Sequence, residues 1–521
     1  MGIPFAAPPV KDLRFKTPQP LEPWNKVLKA TKIKPACVQY NINFRKSQLM
    51  GMYGLEDCLY LDIYTPEVDE SKRPVIVFLH SEGFTNSYNK TKDYAPDFFI
   101  EEDLVVVTIS YRLSIFGFLS FEEDLLPGNA GLKDIVAGLE WVSQNIHYFG
   151  GDPNKITLLG SQGGAAAVDF LIRSKAKEYF HAAILQSDTS LSPMYLQQNA
   201  RERAYKLAEL LEIPSSSSNQ ILRELNECPA SDLFLQELRA SPSDYYKENQ
   251  RSILSFGPIV EKDPNGLITE YPENSFENVN IPIMIGFNSR EGLTASYKYL
   301  SEPHYLKFVD KDFPFLMPLR LKYTFDPLYE SFFTAIDEIK KFYFKKGKVT
   351  MKSAPEYITY MGDLKAYAMD KTAQMYSNIS SKPIYYYHFD YYSGLNENKD
   401  NVVKAAVSGE GTWGAATGDE LCYLFRCPSL RDKYAKHNRL ESQEMGLQRK
   451  LIKMWANFAR YGNPTPDNNN PLEIQWPQYT LQTKEYLNIA KKIEAKTDIL
   501  KERFQFWDKF IKKWEKRAKN G

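Results

Sequence analysis

The chain has 521 residues, of which 43% are hydrophobic and 25% charged, and its 65 Lys and Arg residues balance 65 Asp and Glu residues. This composition is typical of globular proteins and excludes a chain that is disordered throughout, while the balanced charge excludes a general attraction to nucleic acid. The longest dense apolar runs, Val75–Leu79 and Leu104–Ile109, are far shorter than the roughly 18 residues that a membrane-spanning helix needs, so we expect no transmembrane segment.

Apolar runs suited to strands alternate with a helical pattern in the first part of the chain. The predicted strands are Cys58–Thr65, Arg73–His80, Leu104–Tyr111, Ile156–Leu159 and His181–Gln186, followed later by Ile281–Phe287 and Ile384–Tyr391. A helix is predicted at Gly131–Asn145, where apolar residues recur on one face. Alternation of this kind predicts an α/β fold with a doubly wound, mostly parallel sheet.

Two longer stretches, 200–255 and the segment between the last two predicted strands, are helical, charged and poor in glycine. We interpret them as helical cap insertions that cover one edge of the sheet. No stretch rich in Pro, Gly or Ser marks a boundary, so a single domain over 1–521 is predicted. The last segment, 498–519, has large apolar residues at helical spacing. It is predicted to be an amphipathic helix docked on the body, with an oligomerising or membrane-surface helix as the alternative.

Five cysteines occur in the chain. Cys37 and Cys58 enclose about 20 residues, and a disulfide between them would contribute roughly 3 kcal/mol by restricting the unfolded chain. The odd count leaves at least one thiol free or paired with another chain. Asn89-Lys-Thr91 and Asn378-Ile-Ser380 are N-glycosylation sequons. These features favour a secreted glycoprotein; because no signal peptide opens the sequence, a cytoplasmic location is the alternative.

The pentapeptide Gly160-Ser-Gln-Gly-Gly164 has the spacing of the elbow that carries the nucleophile in many serine hydrolases. Its flanks, Lys155–Leu159 and Ala165–Asp169, are typical of a strand entering and a helix leaving a sharp turn. The central residue is Gln162 rather than serine. A primary amide does not deprotonate near neutral pH and forms no acyl intermediate, so nucleophilic ester cleavage lacks its first participant.

Four further motifs stand around this elbow. They are Gly2-Ile-Pro-Phe-Ala6, Glu56-Asp-Cys-Leu-Tyr-Leu61, Gly128-Asn-Ala-Gly-Leu-Lys-Asp134 and Phe149-Gly-Gly-Asp-Pro153. In this order and spacing the chain resembles the type-B carboxylesterase/cholinesterase family, and most of all its insect carboxylesterase branch. The resemblance implies an α/β-hydrolase fold. The family's first hairpin, which would precede Gly2, is missing, so we expect either a truncated record or a protein that starts late.

The resemblance also places the family's catalytic machinery on this sequence. The nucleophile falls on Gln162 and the triad histidine on Thr417, both replaced, whereas the triad acid falls on Glu291 and is retained. The oxyanion loop, His-Gly-Gly-Gly in the family, falls on residues 80–83, and the oxyanion-hole positions are Ser81, Glu82, Gly83 and Gly163. A carboxylate at Glu82 would oppose the negative oxygen that such a loop stabilises.

Neighbouring residues are poor substitutes for the lost groups. Ser161 has a hydroxyl, but only the central residue of an elbow projects over the sheet edge. Structural roles are expected for the six histidines, which are His80, His147, His181, His304, His388 and His437. We predict that Gln162, Thr417 and Glu291 still converge and hydrogen-bond where the triad would be. Glu291 is then either a relic that needs buried partners or part of a ligand site.

No Cys/His cluster has zinc-ligand spacing and no glycine-rich loop has a nucleotide-binding pattern, so neither a metal nor a cofactor is expected. The favoured hypothesis is a pseudoenzyme of the carboxylesterase family. It would bind a small hydrophobic or ester ligand, or a protein partner. The alternative is an active carboxylic-ester hydrolase that uses unconventional residues, and a third interpretation is a gene copy that drifts without selected function.

Overall fold

The computed structural model describes residues 1–43, 48–87, 92–214, 217–240, 254–275, 279–317, 323–436, 442–466, 472 and 474–518. The strands in these ranges are β1 (Ile3–Pro4), β2 (Gln39–Asn43), β3 (Gln48–Tyr53), β4 (Tyr60–Tyr64), β5 (Arg73–Ser81), β6 (Val105–Ile109), β7 (Gly151–Gln162), β8 (Ala182–Gln186), β9 (Ile283–Asn288), β10 (Ile384–Phe389), β11 (Glu485–Ile489) and β12 (Ile493–Thr497). The sequon at Asn89 and His437 lie outside the described residues.

The α-helices of the same ranges follow in chain order. They are α1 (Asp97–Glu101), α2 (Ser114–Phe118), α3 (Ala130–Asn145), α4 (Gly163–Ile172), α5 (Ala200–Leu210), α6 (Ser218–Glu227), α7 (Ala230–Glu237), α8 (Tyr297–Ser301), α9 (Leu306–Asp312), α10 (Glu330–Tyr343), α11 (Ala354–Ile379), α12 (Glu397–Val403), α13 (Leu421–Leu424), α14 (Arg431–Lys436), α15 (Gln443–Tyr461) and α16 (Lys501–Trp514). None of the helices in the described ranges combines the length and the apolar character that crossing a membrane requires.

Within the described residues, ten strands form one sheet with the order β1-β4-β6-β5-β7-β8-β9-β10-β11-β12. The strands from β6 to β11 are parallel, whereas β1, β4 and β12 pair antiparallel at the two edges. The chain therefore winds outward from the centre in both directions, which confirms the predicted doubly wound, mostly parallel sheet. Strands β2 and β3 form a separate antiparallel pair.

The sheet is covered on both faces. Along β5, Val75, Val77 and Leu79 belong to the hydrophobic cluster that contains α3 and α4. Ile76 and Phe78 point the other way, into the cluster that contains α15. All residues of β5 and β6 are buried. Because a strand buried on both faces needs no polar side, these two strands appear in the sequence as continuous apolar runs.

The strands that the sequence did not indicate are β1, β2, β3, β11 and β12. β1 has only two residues, which is too short to produce a pattern. Every residue of β12 is partly or fully exposed, so this strand lacks the apolar alternation of a half-buried strand. β7 is also longer than the predicted Ile156–Leu159, since it begins at Gly151 and ends at Gln162.

The helices α5–α7 and α8–α11 are the predicted cap insertions, and they follow β8 and β9 in the chain. The C-terminal helix α16 is docked rather than free: Trp507 and Trp514 are each 2% exposed and cluster with residues of α10 and α11. Trp507 Nε1 donates a hydrogen bond of 2.8 Å to the hydroxyl of Tyr343 in α10.

Candidate functional site

Gln162 is the last residue of β7 and directly precedes α4. Its backbone has φ 55° and ψ −121°, a conformation that residues with side chains rarely adopt and that costs about 1–3 kcal/mol. Glycines on both sides permit this turn: a Cβ at Gly160 would collide with Gly164 and the following residue, and a Cβ at Gly164 would collide with Leu79. The predicted strand, sharp turn and helix are therefore present, with Gln162 at the apex.

Thr417 and Glu291 are hydrogen-bonded to each other. Thr417 Oγ1 donates to Glu291 Oε2 at 2.6 Å and lies 2.9 Å from the main-chain oxygen of the same residue. The second carboxylate oxygen, Oε1, accepts the main-chain N–H of Asn288 at 2.7 Å. Both side chains are 3% exposed. Burial raises the pKa of Glu291, and nearby Lys365 and the hydrogen bonds oppose that rise. The retained acid is thus fully engaged by partners.

Gln162, Thr417 and Glu291 line one cavity of about 430 Å³. The structure therefore brings all three predicted positions together. The expected hydrogen bond of Gln162 is the exception, because its amide makes none with the described residues. The side chain is 9% exposed and faces the cavity. Its Nε2 lies close to the backbone at Gly418, where an added Cβ would be 3.5 Å away.

The loop at the oxyanion-hole positions turns back on itself. The main-chain N–H of Glu82 donates to Asn86 O at 2.8 Å, so this donor is not available to a bound oxygen. Ser81 Oγ accepts the N–H of Phe84 at 3.3 Å, and the side chain of Ser81 is fully buried. Glu82 and Gly83 face the cavity, whereas Ser81 and Gly163 do not contribute to its lining.

The side chain of Glu82 occupies the cavity wall where the family would have no side chain. Burial raises the pKa of this carboxyl to about 7, and Lys365 opposes the shift. Its carboxylate makes no hydrogen bond with the described residues. A glutamate whose pKa lies near neutrality is sensitive to any charge that enters the cavity.

Ser161 and His80 are direct partners in the register of β7 and β5. Neither lines the cavity, and they are 0% and 1% exposed. Ser161 Oγ has no hydrogen-bond partner within the ranges that the structure describes, and burial lowers the pKa of His80 to about 3. Among the histidines that the structure describes, none lies in the cavity wall. Among the described residues, the cavity wall therefore contains no serine, cysteine or histidine, although the hydroxyl-bearing residues Thr85, Thr294 and Tyr195 line it.

Lys365, which no sequence pattern indicated as a site residue, comes from α11 and lines the same cavity. Its Nζ lies 3.7 Å from Asp188 Oδ2. Asp188 also accepts a hydrogen bond of 2.7 Å from the hydroxyl of Tyr195. No local pattern marks Lys365, because a lysine on an amphipathic helix usually lies on the solvated face. Only the packing of α11 over the sheet edge places it here.

Two disulfides are present in the described residues, Cys37–Cys58 as predicted and Cys422–Cys427, and Cys228 is free. The second bridge closes the segment that follows Thr417. Cys422 and Cys427, together with Glu397, are the one group of potential metal ligands in the described ranges. Because both sulfurs are in a disulfide, neither is the thiolate that a metal would need.

Comparisons with known proteins agree on one family. The model of the carboxylesterase family matches residues 1–507. A juvenile hormone esterase of Tribolium castaneum is 32% identical over 94% of this chain and 83% of its own length, and esterase FE4 of Myzus persicae is 30% identical over 90% and 81%. The crystal structure of juvenile hormone esterase from Manduca sexta, with OTFP covalently attached, superposes with a TM-score of 0.82 at 26% identity, over 98% of this chain and 94% of that one. The predicted α/β-hydrolase fold is thereby confirmed.

Proposed function

This chain belongs to the carboxylesterase family, and from that premise we propose that it binds an apolar small molecule without hydrolysing it. The observation that carries the proposal is Gln162 at the apex of the elbow. Its backbone has the strained conformation described above, but its amide cannot act as a nucleophile. The architecture that would present an attacking oxygen presents a hydrogen-bonding group instead.

Two further positions support the loss of hydrolysis. Thr417 donates to Glu291 and has no group that accepts a proton near pH 7, so it cannot serve as the general base. Loss of the nucleophile or base of such a triad lowers turnover by about 10⁶-fold, and the two losses overlap. Glu82 places a carboxylate at the oxyanion position, and its main-chain N–H donates to Asn86 instead of to a bound oxygen. Loss of one oxyanion donor removes about 3 kcal/mol of transition-state stabilisation.

The cavity supports a binding role. Its volume of about 430 Å³ lies within the roughly 300–1,000 Å³ typical of sites for small molecules. Apolar side chains such as Leu254, Phe315 and Met361 line much of its wall, and polar side chains come both from the sheet edge and from the helices that cover it. The relatives are named as esterases, so an apolar ester is one ligand of the proposed kind. A protein partner remains the second binding mode for the same fold.

The rival function is ester hydrolysis by unconventional residues. The names of the relatives and the retained Glu291 favour it. It would require a hydroxyl that reaches the ligand, and Ser161 is the nearest candidate in the elbow. That residue is fully buried beneath the cavity, which is why we place binding first.

An extracellular location is also proposed. Disulfides persist mainly in oxidising compartments, and the structure contains two within the described residues. The sequon residue Asn378 is exposed near the end of α11, where its side chain is accessible to a glycan. Isolation of the protein with a glycan at Asn378 would support this proposal.

The proposed function is tested on the purified protein with a short-chain nitrophenyl ester and a fluorescent organophosphate. We expect hydrolysis at the buffer rate, no covalent label, and saturable binding of a neutral apolar fluorophore. Ester turnover that disappears in Ser161→Ala or Glu291→Gln, but not in the exposed control Glu101→Gln, would show that the protein is an esterase. Failure of the fluorophore to bind would favour the protein-partner mode.

A further inference from the structure

Polar side chains emerge into the cavity at the sheet edge, which we call its polar end, and apolar side chains form much of the remaining wall together with Thr294, Lys365, Asn398 and Asn401. The polar end lies at the carboxyl edges of β5 and β7, where Ser81 and Gln162 are register partners, so that Glu82 and Gln162 emerge side by side. The apolar body is formed by cap residues, among them Met194, Phe315, Met317, Met361 and Leu364. A ligand that fills this space must therefore be amphiphilic, with its polar group at the sheet edge.

Two polar side chains at this end have no hydrogen-bond partner among the described residues. They are the amide of Gln162, a residue that is only 9% exposed, and the carboxylate of Glu82. Buried polar groups in native proteins are nearly always paired. The other carboxylate in the wall, Glu291, already accepts from Thr417 and Asn288. Gln162 and Glu82 thus have unused hydrogen-bonding capacity, as does the buried hydroxyl of Thr294 in the same wall, and Glu82 is the one acidic group among these three.

Acidic side chains outnumber cationic ones in the cavity wall. Glu82 and Glu291 line the wall, and Lys365 is the one cationic side chain among the described lining residues. Asp188, outside the wall, lies 3.7 Å from Lys365 Nζ and so takes up much of its positive charge. A carboxylate ligand would face like charges here. An ester offers only acceptors and leaves Glu82 without a donor.

We infer that the cavity takes a cationic amphiphile, a primary or secondary amine on an apolar chain or ring. Its ammonium group donates to the carboxylate of Glu82 and to Oε1 of Gln162, and its apolar body lies along the cap residues. This inference rests on the proposed function and adds the chemical class of the ligand. It also explains why a glutamate stands where the family has a glycine: Glu82 is the counter-ion of the ligand.

Binding of a cation is coupled to the protonation of Glu82. Burial holds the pKa of this carboxyl at about 7 in the empty cavity, so at neutral pH it is partly protonated. The other charged or titratable groups that act on it are Lys365, Tyr94 and Tyr195, and burial raises the pKa of both tyrosines well above neutrality. An ammonium group beside Glu82 lowers its pKa, so the amine displaces a fraction of a proton.

The test compares octylamine, octanol and octanoate, which share one chain length, by isothermal titration calorimetry at pH 7. We expect octylamine to bind at least about tenfold more tightly than octanol, as for a hydrogen bond to a charged group, and octanoate to bind most weakly. Titrations in buffers of different ionisation enthalpy should show proton release with octylamine and none with octanol.

Glu82→Gln is the matched variant, since it keeps the shape of the side chain and removes its charge. It should bring octylamine and octanol to within about threefold of each other and abolish proton release, while the exposed control Glu101→Gln retains both effects. Equal binding of the three compounds by the unmodified protein, no binding of octylamine, or an amine preference that survives Glu82→Gln would overturn the inference.

Failure of the proposed function is recognised separately, by ester turnover in the assay described above. If octanol binds as well as octylamine and no ester is cleaved, the binding function stands and the amine preference is wrong. If ester is cleaved while the charge preference holds, the cavity selects amines but the protein is an enzyme.

Discussion

The hydroxyl of Thr417 donates a hydrogen bond of 2.6 Å to the carboxylate of Glu291, across 126 residues of sequence. In a serine hydrolase the acid at this place orients and stabilises a histidine. Here the carboxylate accepts a hydrogen bond from a hydroxyl, and a hydroxyl is not a base near neutral pH. The pair is therefore a structural contact that keeps a buried acid satisfied.

Loss of the Thr417 hydroxyl should destabilise the protein. Thr417→Val preserves the shape of the side chain and leaves Glu291 Oε2 buried without this donor, so we expect a loss of about 1–3 kcal/mol in the free energy of unfolding. Thr294→Val is the matched control, because Thr294 Oγ1 has no hydrogen-bond partner in the described part of the chain and the residue also lines the cavity. Urea unfolding measures both. Equal stability of the two variants would mean that the contact contributes nothing.

The strained backbone of Gln162 gives a second prediction. Glycine adopts positive φ without the steric conflict that any Cβ introduces. The free energy of unfolding of Gln162→Gly should therefore be about 1 kcal/mol larger than that of Gln162→Ala. Both variants lack the amide, and they differ only in the Cβ. If Gln162→Ala were the more stable of the two, the turn would not be strained at this residue.

Rebuilding the triad should restore part of the hydrolysis. We expect no activity from Gln162→Ser or Thr417→His alone, because nucleophile and base act as a unit. The double variant should hydrolyse a nitrophenyl ester above the buffer rate, since Glu291 is already in place. Adding Glu82→Gly should raise the rate by about tenfold or more, by removing a charge that opposes the transition state.

An inactive triple variant that still binds a neutral fluorophore would mean that the cavity has lost the geometry for ester attack. An inactive triple variant that binds none would weaken the ligand-binding proposal instead. Initial rates are measured at several ester concentrations, and Glu291→Gln is added to the triple variant as the control. Hydrolysis that persists in this control does not come from the rebuilt triad.

The buried acid Glu420 predicts how stability depends on pH. Burial raises its pKa to about 8 from an ordinary value of 4.5, although Asn288 Nδ2 donates to it at 2.6 Å. Between these pH values the unfolded chain has already lost the proton that the folded protein keeps. The unfolded state then binds fewer protons, so the free energy of unfolding falls as pH rises from about 4.5 to 8.

Glu420→Gln replaces the titrating carboxyl by an amide, so this position no longer contributes to the pH dependence of the free energy of unfolding. Compared with the unmodified protein, it should lose less stability between pH 5.5 and 8.5, by on the order of 3 kcal/mol, as measured by urea unfolding at both pH values. The exposed control Glu101→Gln should leave the difference unchanged. A parallel pH dependence in Glu420→Gln and the unmodified protein would mean that Glu420 is ionised in the folded state.

The central strands β5 and β6 could be predicted from the sequence, whereas the exposed edge strand β12 could not. β5 and β6 are continuous apolar runs because helices cover them on both sides. β12 has no buried residue, and its position depends on pairing with β11 rather than on its own composition. The elbow could also be predicted, because the turn at Gln162 requires glycine at positions 160, 163 and 164 and the sequence has glycine at all three.

The sequence by itself determined which chemical groups are present: an amide at position 162, a hydroxyl at 417 and a carboxylate at 82 and at 291. Residue identity limits chemistry wherever the residue lies, because a side-chain amide, unlike a serine hydroxyl, is not deprotonated by a neighbouring base near neutral pH to attack an ester. Tertiary structure decided which of these groups have partners. It gave Glu291 the hydroxyl of Thr417, committed the N–H of Glu82 to Asn86, and brought Lys365 to the cavity. Hydrogen bonds and charge interactions depend on distances of a few ångströms, and packing between distant segments sets those distances.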